Sequence, residues 1–236
     1  MTHSQENPVL VALDVPTREA ALQLAHTLRP HVGGFKVGLE LFCSVGSSIV
    51  EEIGADNVFL DLKFHDIPNT VAAVSRVAAK MGVMIFNVHC LGGLEMMRAA
   101  QEAARETNAS SRVIGVTILT SHDRTQLQQI GLDEPRDAVR RLAHLAREAG
   151  LDGVVCSPQE IALVRAECGP DFLLVTPGIR PVGANVGDQK RVLTPRQAVD
   201  AGANWLVVGR PITAAPDPVA AAKSLLTGLT HSEPAA

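Results

Sequence analysis

Short apolar runs recur along the whole chain: VLVALDV from Val9, FKVGL from Phe35, VFLDLKF from Val58, MIFNVHC from Met84, VIGVTIL from Val113, GVVCS from Gly153, FLLVTPG from Phe172 and WLVVG from Trp205. Each is apolar on both faces, the pattern of a parallel strand covered on both sides. The segments between them have helical spacing. The clearest covers 135–150, where Val139, Leu142, Ala143, Leu145, Ala146 and Ala149 share one stripe, Pro135 suits a first turn and Gly150 a stop. Eight strand signals alternating with helical ones in 236 residues predict an α/β fold, the (β/α)8 TIM barrel, which typically needs roughly 250 residues. An open doubly wound sheet ranks second, because the turn after the first strand reads DVPTRE and lacks a glycine-rich dinucleotide fingerprint. No linker or composition shift divides the chain, so a single domain over 1–236 is expected, with loose ends at about 1–7 and 230–236.

Composition narrows the function classes. With 46% apolar and 19% charged residues the chain has enough material for a substantial core, which excludes a disordered or fibrous protein. Lys and Arg total 21 against 25 Asp and Glu, for a net charge of −4, so neither nucleic acid nor an anionic membrane is an expected partner. No apolar stretch approaches the roughly 20 residues of a membrane span. The start MTHSQENP has no signal-peptide character, and a cytoplasmic location is expected. Cys43, Cys90, Cys156 and Cys168 have neither zinc-site spacing nor the density of a disulfide framework, and read as reduced and structural.

In such barrels chemistry gathers at the carboxyl ends of the strands. There the sequence offers Asp14 after the first strand, Lys36 on the second, Asp61 and Lys63 on the third, Thr120 and Ser121 at the end of the fifth, and Arg180 and Arg210 after the last two. A barrel mouth is wet and collects polar groups by default, but the third strand escapes that discount. Its period of two puts Asp61 and Lys63 on one face and Leu60, Leu62 and Phe64 on the other. Ionised groups turned into a barrel cost several kcal/mol unless paired, which predicts a partnership of Asp61 and Lys63 extended by Lys36. With Asp66 these residues make an alternating set larger than packing needs. Asp66 itself lies beyond the strand, just before a helix start at Pro68 and Asn69, so its loop is free to face a neighbouring subunit. A Schiff-base role for Lys63 requires a free amine. Its acidic neighbours favour the ammonium instead, which suits a proton donor or electrostatic stabiliser.

The seventh and eighth units supply a second half. TPGIRP at 176–181 and VGRP at 208–211 end adjacent strands where barrels of this type often hold phosphate. Gly178 and Gly209 permit close backbone approach, and Arg180 and Arg210 add charge and donors. The intervening VGANVGDQKR at 182–191 reads as a mobile lid, or else as an ordinary surface loop. His65 and His89 lack metal-ligand spacing, and His26, His31 and His144 fall on helices or loops, so no catalytic histidine and no metal are expected. No G-x-S-x-G elbow is present to support a serine hydrolase.

At these residues the chain resembles the bacterial orotidine 5'-phosphate decarboxylases nearly end to end. The match covers ALDVP around Asp14, GFKVGLELF around Lys36, FLDLKFHDIPNT at 59–70, ILTS at 118–121, TPGIRP, GDQKR at 187–191 and VGRPIT at 208–213. Related sugar-phosphate decarboxylases and synthases share the D-x-K-x-x-D core, whereas IPNT and GDQKR resemble the orotidylate branch. One departure is HCLGG at 89–93, where the family more often has a small residue in place of Cys90. The resemblance implies that Lys63 protonates C6 of the pyrimidine as carbon dioxide leaves and that Asp61 faces the departing carboxylate. It implies that Lys36 holds Asp61 and the ribose, and that Asp14 binds a ribose hydroxyl. It makes the stretch through Leu62, Phe64, His65, Pro68 and Asn69 part of the binding element, with Asp66, Ile67 and Thr70 lent to the partner in a homodimer. Ser121, beside Thr120, would contact the pyrimidine amide edge. Gln189, Arg210 and the Gly209 N–H would grip the phosphate, with Arg180 nearby.

The activity so implied is metal-free and cofactor-free decarboxylation of orotidine 5'-monophosphate to UMP, in which a preplaced ammonium meets the charge left on carbon. A metal-dependent sugar-phosphate lyase on the same barrel and a catalytically silent nucleotide-binding barrel are the competing readings. The first does not explain GDQKR, and the second does not explain the charged set.

Overall fold

The strands form because each run is apolar enough to be covered on two sides. The computed structural model describes residues 7–132, 134–180 and 193–230. Its strands are β1 (Val9–Ala12), β2 (Gly34–Gly38), β3 (Val58–Phe64), β4 (Ile85–His89), β5 (Arg112–Val116), β6 (Gly153–Val155), β7 (Leu173–Thr176) and β8 (Trp205–Val208). Each pairs in parallel with the next and β8 pairs with β1, closing the barrel. Helices follow the strands around the outside, so this is the expected (β/α)8 architecture.

Two apolar layers result from the pleat. Leu10, Ala12, Phe59, Ile85, Ile114, Val175, Trp205 and Val207 fill the inside of the barrel. Their strand neighbours Val9, Val11, Leu60, Phe86, Val113, Leu174, Leu206 and Val208 pack outward against helical residues such as Ala100, Val139 and Ala143. Fully burying side chains of this kind contributes roughly 1.5–3 kcal/mol each, which makes the barrel wall the main source of stability. Helix entries are marked by local chemistry. Proline occupies the first turn of Pro68–Lys80 and of Pro135–Glu148, and Thr17, Asp123 and Thr194 cap the helices that follow them.

Three expectations need correction. The apolar run of the fifth strand continues to Leu119, but β5 ends at Val116, so Thr120 and Ser121 lie on a turn beyond it. Val116 is the last residue of β5 with strand partners, opposite His89 on β4 and Val155 on β6. At the amino end Asn7 is not loose: its Nδ2 donates to the His31 carbonyl at 2.9 Å and its Oδ1 accepts from Val9 N–H. The rest of the expected loose ends, 1–6 and 231–236, lies outside the described residues. Finally, Cys90, Cys156 and Cys168 are buried free thiols, but Cys43 is exposed on the helix Leu39–Val45 and packs no core. Burial pushes the Cys156 thiol up to about 12, leaving it unreactive.

Candidate active site

All eight strands point the same way, so the residues following them share one mouth. On one side of it a chain of alternating charges runs across three strands. Lys36 Nζ donates to Asp14 Oδ1 at 2.8 Å and lies 3.6 Å from Asp61 Oδ2, while Lys63 Nζ donates to Asp61 Oδ1 at 2.7 Å. Gly38 makes room for this pairing, because a Cβ there would sit 3.0 Å from Lys36 Nζ and 3.2 Å from Asp14 Oδ1. The Lys36 and Asp61 side chains are only 11% and 15% exposed, so each needs its opposite charge to offset desolvation. Two ammonium and two carboxylate groups leave the array neutral.

The third strand reaches this geometry by breaking its own pattern. Lys63 is in the left-handed region at φ 52°, alone among the described non-glycine residues. The β3–β4 register shifts at the same place: Leu60 pairs with Phe86 and Phe64 with Val88, so four steps on β3 are matched by two on β4. Such an irregularity re-aims a side chain. The conformation costs about 1–3 kcal/mol and persists only where the surroundings impose it. Here they do so through Asn87 on β4, which is wholly buried. Its Oδ1 accepts from Lys63 N–H at 2.7 Å and its Nδ2 donates to Asp61 Oδ1 at 2.6 Å.

These charges face a cavity of about 370 Å3. Its floor is apolar, from Ala12, Phe59, Val155 and Val207, and its far wall comes from Pro177, Gly178, Arg180, Gly209, Arg210 and Thr213. Gly178 has φ 80°, a conformation that permits this turn after β7 and disfavours a side chain there. Arg180 is 9% exposed, with its N–H bonded to the Leu193 carbonyl at 3.0 Å. Among the described residues, the cavity has a neutral array of ammonium and carboxylate groups at one end, an apolar floor, and Arg180 and Arg210 at the other end. Such a site suits a small molecule with an anionic end against the arginines and an apolar body against the floor.

A family model described as orotidine 5'-phosphate decarboxylase / HUMPS family matches residues 7–225. A protein of Nitrosococcus oceani named orotidine 5'-phosphate decarboxylase is 53% identical over 224 residues, covering 94% of this chain and 97% of that one. One of the same name from Moorella thermoacetica is 51% identical over 230 residues, covering 93% and 91%. The crystal structure of orotidine 5'-phosphate decarboxylase from Lactobacillus acidophilus superposes with a TM-score of 0.82 at 36% identity, covering 95% of this chain and all of that one. The chain belongs to the orotidine 5'-phosphate decarboxylase / HUMPS family.

Of the positions that the family resemblance singles out, Asp14, Lys36, Asp61, Lys63, Thr120, Arg180, Gly209 and Arg210 line the one cavity. Asp14, rather than Asp66, completes the alternating set within this chain. Asp66 is exposed, its Oδ1 accepting from Ile67 N–H at 2.7 Å, and His65, Ile67, Asn69 and Thr70 are exposed with it. Pro68 begins the next helix and, with these neighbours, does not line the cavity. Leu62 and Phe64 pack into the outer apolar layer, as their strand positions dictate. Ser121 is exposed and off the cavity wall. Gln189 and the loop 182–191 fall outside the described residues.

Two further residues adjoin the charged array without lining the cavity. Asn87 is a lone amide in the apolar run MIFNVHC, which is the only sign of it in the sequence. His89 stacks on His65 with ring centroids 5.3 Å apart. Its pKa is lowered to about 4, first by burial and then by the neighbouring His65, Lys63 and His122, so it is neutral beside the Lys63 ammonium.

Proposed function

We propose that this chain converts orotidine 5'-monophosphate to UMP and carbon dioxide in pyrimidine synthesis in the cytoplasm, with Lys63 as proton donor to C6 and without a metal or organic cofactor. The observation that carries the reading is the Lys63 ammonium held 2.7 Å from Asp61 at the edge of an apolar-floored cavity. In this reading the phosphate lies against Arg210 and the Gly209 N–H, with Arg180 and Gln189 in the same region. Asp14 and Lys36 take the ribose, Thr120 the amide edge, and the pyrimidine covers the floor.

The substrate carboxylate then points at Asp61. Breaking the C6–carboxyl bond releases neutral carbon dioxide and leaves an electron pair on C6, in a ring that delocalises it poorly. Lys63 stabilises that charge from a position fixed beforehand and transfers a proton from Nζ to C6, closing the charge balance. Repulsion between Asp61 and the substrate carboxylate is relieved as the bond breaks, and phosphate binding supplies the energy that brings them together. The metal-free reading has its own support: among the described residues, the two carboxylates on the cavity are already neutralised by Lys36 and Lys63, which leaves a divalent cation little net charge to bind. The reading extends to a homodimer in which Asp66, Ile67 and Thr70 enter the partner's cavity, since they are exposed and do not line their own.

The test is the loss of ultraviolet absorbance of orotidine 5'-monophosphate on mixing with the purified protein in excess EDTA. Turnover is expected. No turnover with or without added magnesium rules out this substrate, and turnover only with magnesium rules out the metal-free chemistry.

A further inference from the structure

We propose that Asn87 is a positioning residue for this reaction: its carboxamide holds the Lys63 backbone left-handed and fixes the Asp61 carboxylate that the Lys63 ammonium meets. The inference rests on the reading of Lys63 as proton donor. Asn87 does not line the cavity, so it acts through the pair rather than on a substrate. Both ends of its amide are committed. Lys63 N–H requires an acceptor and the Asp61 carboxylate requires a donor, which fixes the amide orientation, with bonds of 2.7 and 2.6 Å. The Lys63 ammonium meets the same Asp61 Oδ1, at 2.7 Å. One planar group therefore sets both the strand position from which the lysine projects and the oxygen it projects toward.

The residue type follows from this double duty. An aliphatic side chain would leave the half-buried Lys63 N–H without this acceptor where the strand register shifts, and Asp61 without one of its donors. A hydroxyl is too short to span both. Aspartate at this position keeps the acceptor for Lys63 N–H but donates to Asp61 only when protonated, and that makes the role testable by pH.

Two variants decide it. In Asn87→Ala a loss of about 100-fold in kcat is expected, the scale of a misplaced reacting group, with KM and UMP affinity within about threefold of the parent. In Asn87→Asp two carboxylates within hydrogen-bond reach cannot both ionise, so the pair retains one proton to higher pH than a lone carboxylate does. The other groups facing this position are Lys63 on β3, Lys36 beyond Asp61 on β2 and His89 on β4, while β5 presents apolar Ile114. The lysines oppose proton retention and Asp61 favours it. Turnover by Asn87→Asp is expected to be greatest at acid pH and to fall as the shared proton leaves, relative to the parent at each pH. A purely structural stitch between β3 and β4 predicts no such profile.

A kcat within threefold of the parent in Asn87→Ala overturns the proposal, and so does an Asn87→Asp profile parallel to the parent's. If Asn87→Ala does not fold, the Asn87→Asp profile decides alone. Parent enzyme assayed alongside separates this outcome from failure of the functional reading. Should the parent not turn over orotidine 5'-monophosphate, a crystal structure of Asn87→Asp at alkaline pH decides. Lys63 still left-handed, with Asp61 unmoved, overturns the positioning role whatever the substrate.

Discussion

Lys63 is strained, ion-paired and aimed at a cavity all at once, and each property supports the others. The left-handed backbone costs about 1–3 kcal/mol, and the fold offsets it with the Asn87 bond and the Asp61 pair. If the ammonium is the proton donor, Lys63→Ala lowers kcat by at least about a thousandfold while UMP still binds, because the phosphate wall is untouched. Steady-state kinetics together with equilibrium binding of UMP checks this, and near-normal turnover removes Lys63 from the mechanism. His89 makes a separate prediction. Its pKa is about 4 in the folded chain against an ordinary imidazole value of 6.5, so between those two pH values the unfolded chain binds the extra proton. The stability that depends on a neutral His89 is therefore present above about pH 6.5 and is lost as pH falls toward about 4. In His89→Gln, melting temperature should decline less steeply over that window than in the parent. Parallel declines would show that the imidazole carries none of the acid sensitivity.

At the scale of single elements, the strands were legible and their irregularities were not. Burial on both faces demands unbroken apolar runs, and all eight runs are strands of the barrel. Strand ends are set by where the neighbour stops pairing, which no residue in VIGVTIL announces, and so the fifth strand read too long. The third strand shows the same limit at the site. Alternation put Asp61 and Lys63 on one face, and they do meet, but Lys63 arrives through a register shift and a left-handed backbone that side-chain periodicity cannot encode. Asn87 carries little signal in the sequence, because a buried amide acquires meaning only from the atoms opposite it, which belong to another strand. Glycine within a strand is the reverse case, a sequence feature whose reason appears only in the register. Gly153 on β6 pairs with Leu173, and a Cβ there would run into the Leu173 carbonyl oxygen and Cβ. Gly153→Ala must push β6 and β7 apart, and a destabilisation of about 1–3 kcal/mol is expected from denaturant titration. An unchanged midpoint would mean that the two strands separate there at no cost.

For the whole molecule, the barrel gathers residues distant in sequence at one mouth, yet the segment joining β3 to its helix turns away from it. Ile67 is 66% exposed, and Asp66 and Thr70 are exposed beside it. On the following helix Val77 is 54% exposed, and after β4 Leu91 is 39% exposed. If Asp66 works in the partner's cavity, a variant lacking Asp66 and a variant lacking Lys63 are each inactive for different reasons, and each holds what the other lacks. Mixed in equal amounts with subunit exchange, half of the dimers are hybrids. In every hybrid one cavity has Lys63 from one chain and Asp66 from the other, while the second cavity has neither. Activity should then rise toward about a quarter of the parent's per site, as two-fold symmetry requires. The double variant Lys63→Ala/Asp66→Ala mixed with parent chain separates this from simple dilution, because every hybrid cavity then lacks one of the two groups. No recovery in the first mixture, with exchange confirmed by mass-tagged subunits, would confine Asp66 to its own chain and leave its exposure at the end of β3 without a catalytic reason.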